Sequence, residues 1–151
     1  MNHTPELARL FAETGQALLQ PPPPANEEEG REYVRLFLSP QGALCPPWQS
    51  VWLGEAGAPR LLGPPHHMAL GWFREFGFEP AIESEPADHA GLLLLFYAWL
   101  LDGGADSATL ARFETDHLKW MGPFAESLNR HCQTERFREL AQVLSQLVSH
   151  G

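Results

Sequence analysis

A chain of 151 residues, 44% of them hydrophobic, is long enough for one domain with its own core and too apolar for a disordered segment. Nineteen acidic against ten basic side chains leave a net charge of −9, the wrong sign for binding nucleic acid and suited either to solubility alone or to a basic partner. The two cysteines, Cys45 and Cys132, form no metal or disulfide pattern and read as free thiols in a reducing compartment.

The start, Met1 to Glu6, has no basic stretch leading into an apolar one, so no signal peptide is expected. The longest apolar run, Ala90 to Leu101, falls well short of the roughly 20 residues that span a bilayer. A soluble, cytoplasmic protein without membrane insertion is expected.

Helical spacing begins with Leu7, Leu10, Phe11, Leu18 and Leu19, over Glu6 to Leu19, with Thr4 as cap and Pro5 suited to the first helical position. Pro21 to Pro24 stops this helix. Asn26 and Glu29 form a capping box, and Glu27 and Glu28 complement the dipole of a helix running through Tyr33, Leu36 and Phe37 to about Ser39-Pro40. A loop-rich segment, Gln41 to Pro65, follows; its length marks it as functional, and Ser50 to Leu53 reads as a short extended piece. His66 to Phe76 returns to helical spacing and stops at Gly77.

Pro86 then opens a helix, to Leu101, that is apolar nearly all round and is expected at the centre of the molecule with Trp99 in the core. Asp106 or Ser107 caps the next helix, through Leu110, Phe113, His117 and Leu118, and Gly122-Pro123 implies a break before Phe124 and Leu128. Phe137, Leu140, Ala141, Leu144, Leu147 and Val148 form the stripe of a last helix from Thr134, its cap. No strand pattern is long enough to build a sheet, so the fold class is all-α, a single-domain helical bundle.

Titratable groups crowd the mouth of the apolar helix at Glu85-Pro86-Ala87-Asp88-His89, and a second Asp-His pair follows at Asp116-His117. Three readings are open. A metal-dependent hydrolase could be built from His66, His67, Asp88, His89, Asp116 and His117, but no pair has the i, i+4 spacing of helical metal ligands. Adjacent residues on a helix point about 100° apart, so an Asp-His dipeptide rarely chelates one ion. No nucleophile elbow and no phosphate-cradling loop accompanies them. In the second reading the groups only start a helix, with Asp88 in the first turn facing free N–H groups, in a generic helical interaction module. The third is recognition: among five tryptophans, Trp48 follows two prolines in a loop and is placed to anchor a peptide with a basic end and an apolar segment.

Glu85-Pro86-Ala87-Asp88-His89 resembles the E-P-x-D-H signature of the TorD/DmsD/NarJ family of molybdoenzyme maturation chaperones. Tyr33-Val34-Arg35-Leu36-Phe37 and Pro46-Pro47-Trp48-Gln49-Ser50-Val51-Trp52 are similar to two further blocks of that family, and His117-Leu118, Trp120 and Phe124 to a fourth. The blocks stand in the family's order over residues about 30 to 148. The resemblance implies an all-helical chaperone that is not an enzyme and carries no cofactor or metal. It implies as partner the catalytic subunit of a molybdopterin oxidoreductase, bound through its twin-arginine signal peptide or its apo-form before cofactor insertion and export. It places peptide binding on Tyr33, Leu36, Phe37, Pro47, Trp48, Ser50, Trp52, Glu85, Pro86, Asp88 and His89, with Trp72, His117, Trp120 and Phe124 secondary. Asp88 and Glu85 are expected to face the partner's arginines, and Trp48, Phe37 and Leu36 to take the apolar part. The whole chain, 1–151, is one domain: residues 1–25 a short N-terminal helix and Pro-rich linker, 26–151 the family-like core. The family's N-terminal portion is usually longer, so part of its helices is expected to be missing, leaving apolar surface for a homodimer or an exchanged segment to cover.

Overall fold

A computed structural model describes residues 4–21, 23–38, 42–52, 62–80 and 84–150. Their regular structure is helical: α1 Thr4–Leu19, α2 Glu27–Tyr33, α3 Gln49–Trp52, α4 Pro64–Glu75, α5 Ala90–Asp102, α6 Ser107–Phe113, α7 Met121–His131 and α8 Glu135–His150. α2 and α6 continue into five-residue π-helical turns, Val34–Leu38 and Glu114–Leu118. The all-α expectation holds, and no described helix is long and apolar enough to cross a membrane. Thr4's side chain, the helix end at Ser39-Pro40 and residues 53–61 of the long loop lie outside the described residues.

Local chemistry sets several boundaries as expected. Asn26 Oδ1 accepts the Glu29 N–H (2.9 Å) at the start of α2, and Asp106 Oδ1 accepts the Thr109 N–H (2.8 Å) at the start of α6. Gly77, at φ 69°, ends α4 in the left-handed region that glycine tolerates. The break near Gly122-Pro123 falls just ahead of them, and Pro123 stands in the first turn of α7, where its missing N–H has no helical partner to lose.

Three boundaries differ. Ser50 is not extended: Gln49–Trp52 is a single helical turn, α3. α5 begins at Ala90 rather than Pro86, with His89 as its N-cap and Pro86 in a turn closed by the His89 N–H on Pro86 O (3.1 Å). The start of α8 is capped from a distance. The buried Glu32 carboxylate of α2 accepts the Gln133 (2.7 Å) and Thr134 (2.8 Å) N–H groups, and the Thr134 hydroxyl turns to Glu32 as well. One turn along, Arg35 donates to His131 O (3.0 Å) at the end of α7. An acid on free amides and a base on a free carbonyl thus fasten the α7–α8 turn to α2.

α5 is the centre. Leu92, Leu93, Leu94, Phe96 and Leu100 are fully buried in one hydrophobic cluster that draws on α1, α4, α6, α7 and α8. Trp99, expected in the core, is instead 49% exposed; its indole donates to Phe76 O (3.1 Å) and lies edge-on to Phe78. α1 crosses α5 at two glycines. A Cβ on Gly91 would stand 2.6 Å from Gly15 O, and one on Gly15 would stand 2.7 Å from Gly91 O. α1 therefore packs on the central helix, while Leu10, Val34, Leu38, Leu44, Leu62 and Met68 are exposed.

Gly91→Ala must push two backbones apart, so it should lower the urea-unfolding free energy by about 1–3 kcal/mol. Gly71→Ala on α4, where an added Cβ meets nothing within 4 Å, should raise it by about 1 kcal/mol.

Candidate functional site

Two stretches distant in sequence meet at the start of α5. Residues 46–50 and 85–90 run antiparallel, joined by a single β-bridge between Trp48 and His89. Gln49 N–H donates to Asp88 O (3.1 Å) and Ala90 N–H to Pro47 O (2.7 Å). Pro46 and Pro47 have no N–H to offer, so this strand takes part through carbonyls: Pro47 O serves Ala90, and Pro46 O accepts the Trp52 indole N–H (2.6 Å).

The Asp88 side chain completes the join. Its Oδ2 accepts both the backbone N–H (2.7 Å) and the hydroxyl (2.5 Å) of Ser50, and Ser50 Oγ accepts the Gly63 N–H (3.1 Å). Asp88 does serve a helix start, but that of α3 rather than α5. It is 0% exposed, so the expected contact with a partner's arginines is closed in this conformation.

His89 caps α5 with Nδ1, which accepts the Gly91 N–H (2.9 Å), while its ring lies edge-on to Trp48 at 5.8 Å. Burial pushes its pKa down to about 4. The outer face is built from half-buried groups. The Trp48 indole donates to Glu85 Oε1 (2.6 Å), with Pro86 beside it. Tyr33 belongs to the same neighbourhood: burial first, and the Glu85 carboxylate second, raise its phenol pKa.

Beneath this face, Gln49 ties the site to the α6 end of the molecule. Its amide donates to Asp116 O (2.7 Å), and its carbonyl oxygen pairs with His117 Nδ1 (2.7 Å). A carbonyl oxygen only accepts, so His117 carries its proton on Nδ1 and its buried Nε2 is left as an acceptor without a partner. Burial brings His117 to about 4, against the opposing pull of Asp116 and Asp88. His66 also turns inward, its Nδ1 accepting the Ala87 N–H (2.9 Å).

Of the expected site residues, the structure brings together Pro47, Trp48, Ser50, Glu85, Pro86, Asp88 and His89, with Tyr33 alongside. Leu36 and Phe37, expected to take the apolar part of a peptide, are instead buried in the core, where Cys45 N–H bonds to Leu36 O (2.7 Å) and Phe37 packs on Phe137. Trp52 packs on Phe124, which also meets Trp120, and Trp72 lies among Phe76, Phe96 and Phe113 under the Arg112 guanidinium. Among the described residues, no group of three or more His, Cys, Asp or Glu is placed to hold a metal ion; Asp88 is bonded to Ser50, His89 to the Gly91 N–H, Asp116 to the Trp72 indole N–H (3.4 Å) and His117 to Gln49. Sequence reasoning missed Gln49 and His66 as positioning groups. The signal available was a lone amide between Trp48 and Ser50, in a block where every neighbour has a packing role.

Both buried imidazoles have pKa values depressed below the ordinary 6.5, so the unfolded chain binds more protons than the folded one between about 4 and 6.5. Their stabilisation is present in full above pH 6.5 and is lost as pH falls toward 4, on the order of 3 kcal/mol each at most. The melting temperature should drop steeply over that window, and His117→Gln should flatten the drop in a pH series of thermal melts.

The family model for the nitrate reductase delta subunit matches residues 3–132. The Tat proofreading chaperone DmsD of Salmonella typhi is 37% identical over 120 residues, 79% of this chain and 58% of that protein. The protein of the same name from Salmonella paratyphi A is 29% identical over 120 residues, with the same coverage. Chaperone protein YcdY of Escherichia coli is 28% identical over 121 residues, 78% of this chain and 60% of that protein. The chain spans less than two-thirds of the length of these relatives. The chain belongs to the nitrate reductase delta subunit family, that of the TorD and NarJ proteins.

Proposed function

We propose that this chain is a cytoplasmic chaperone, not an enzyme, for the assembly of a molybdopterin oxidoreductase. It binds the twin-arginine signal peptide of the catalytic subunit, or the apo-subunit itself, before cofactor insertion and export. The observation that carries this reading is the Trp48–Glu85 pair. An indole and a carboxylate, half-buried and hydrogen-bonded to each other at 2.6 Å, stand on a rigid support in a family whose named relatives include Tat proofreading chaperones.

In this mechanism Glu85 meets a guanidinium and Trp48 packs along the peptide beside it, since aromatic faces and carboxylates are the two surfaces that suit arginine. Asp88 works one layer below. Its bonds to Ser50 hold α3, and with it the register that sets Trp48 against His89. The net charge of −9 supplies long-range attraction for a basic segment and raises the association rate more than the affinity.

Titration calorimetry with a synthetic peptide carrying two adjacent arginines before an apolar stretch tests this. Trp48→Ala and Glu85→Gln should each weaken binding at least about tenfold, with melting temperature little changed. The loss in Glu85→Gln should shrink as salt is raised. Asp88→Ala should weaken binding and also lower stability, because the Ser50 N–H and hydroxyl lose their acceptor. Wild-type affinity in both Trp48→Ala and Glu85→Gln would place the site elsewhere. Affinity capture from cytoplasm should recover a molybdopterin oxidoreductase subunit that still carries its leader.

A further inference from the structure

A second concavity shares Tyr33 with the surroundings of Glu85. Pro21, Pro23 and Pro24, between α1 and α2, wall a cavity of about 290 Å³ together with Glu29, Gly30 and Tyr33 of α2 and Arg136 and Phe137 of α8. We infer that this cavity is the apolar subsite of the peptide face and receives an apolar side chain of the partner segment whose basic end lies at Glu85. The inference rests on the peptide-binding reading and gives that reading its second anchor.

Three observations support it. The first is size: at about 290 Å³ the cavity lies at the lower edge of the roughly 300–1,000 Å³ of small-molecule pockets, and so suits a side chain better than a cofactor. The second is charge. The charged groups in its lining are Glu29 and Arg136, and they are paired. Arg136 donates to Glu29 Oε1 (3.0 Å) and to Pro23 O (3.2 Å), and Glu29 also accepts the Ala25 N–H (3.1 Å). With acid and base already matched, the space favours a neutral, apolar group over either ion.

The third is continuity. Tyr33 forms part of the cavity wall, and its phenol also responds to the Glu85 carboxylate, which in turn holds the Trp48 indole. One tyrosine is therefore shared by the cavity wall and the surroundings of the Glu85 carboxylate, so that on this proposal one extended segment occupies both. The walls are also stiff. Pro21, Pro23 and Pro24 have restricted backbones, and the Arg136–Pro23 bond ties Pro23 to α8, so little entropy is lost when the cavity fills.

Gly30 offers a direct block. A Cβ there would meet Pro24 Cγ at 3.7 Å and Pro24 Cβ at 3.9 Å, an ordinary contact, so Gly30→Leu can extend into the cavity while strengthening α2. Two synthetic peptides serve as probes: one with two adjacent arginines before a leucine- and phenylalanine-rich stretch, the other with that stretch replaced by serine. Wild type should bind the apolar peptide at least about tenfold more tightly than the serine peptide. Gly30→Leu should remove that preference, bringing the two within about twofold, with serine-peptide affinity and melting temperature undiminished. Glu85→Gln should weaken both peptides alike and keep the preference. If Gly30→Leu retains the preference while Glu85→Gln weakens both, the cavity is not the apolar subsite, although the peptide reading stands. Equal binding of both peptides by wild type overturns the subsite in the same way. Binding of neither peptide by wild type overturns the peptide reading and the subsite together.

Discussion

A buried carboxylate bonded to the first turn of a four-residue helix holds this site together. Asp88 is withdrawn from water, which costs several kcal/mol unless its oxygens find donors. Oδ2 finds two, the Ser50 N–H and hydroxyl, thirty-eight residues away in sequence, while the buried Oδ1 has no hydrogen-bond partner among the described residues. α3 is far too short to persist alone, because a single helical turn fixes more dihedral angles than its hydrogen bonds compensate. With Asp88 on its first amides and Trp48 paired to His89, that turn has one register. Trp48 then faces Glu85, Gln49 points to His117, and the Trp52 indole meets Pro46 O.

The same economy of polar groups recurs at the α7–α8 turn, where Glu32 of α2 and Arg35 of the π-helical turn that follows it satisfy free amides and a free carbonyl. The two clamps share an element. Glu32 of α2 and Arg35 of the π-helical turn that continues it hold the α7–α8 turn, Leu36 and Phe37 of that turn are buried in the core, and Tyr33 lines the Pro-walled cavity. α2 is therefore the rigid wall on which a peptide-binding face would be built, and rigid elements position binding groups better than loops do.

Much of this was legible in the sequence. The apolar run of α5, the stripe of α8, the Asn26 capping box and the Gly77 stop are local signals, and local signals suffice where periodicity or one turn decides the outcome. The failures share a cause. Pro86 is a good first helical residue by propensity, but Asp88 has a partner in α3, and that long-range bond holds residues 86–89 out of the helix. Ser50 looked extended because its helical turn is stabilised from outside its own segment. Trp99 sits in a run with no polar marker, so nothing nearby signalled that its indole faces out toward Phe76 O. At the site, the order of the blocks showed which residues belong together but not which face water. Asp88 and Glu85 are both acids within one short motif, and only the packing of Ser50 against one and Trp48 against the other separates a sealed carboxylate from a reachable one.

That separation bears on how an acidic chain could be selective. A charge of −9 attracts any basic segment, so charge alone cannot distinguish partners. Selectivity needs a fixed geometry in which the wrong segment leaves a group unpaired. Here one Glu85 oxygen is already held by the Trp48 indole, which restricts how the carboxylate can turn to meet a guanidinium. A lysine ammonium would gain the charge but not the planar stacking and forked donors that an indole beside a carboxylate rewards. On the proposed reading, preference for arginine comes from that pair, while preference for the apolar sequence beyond it comes from the Pro-walled cavity that Tyr33 lines. A chaperone that must choose one leader among many basic segments needs both, because either recognition alone is too common in a proteome to identify a partner.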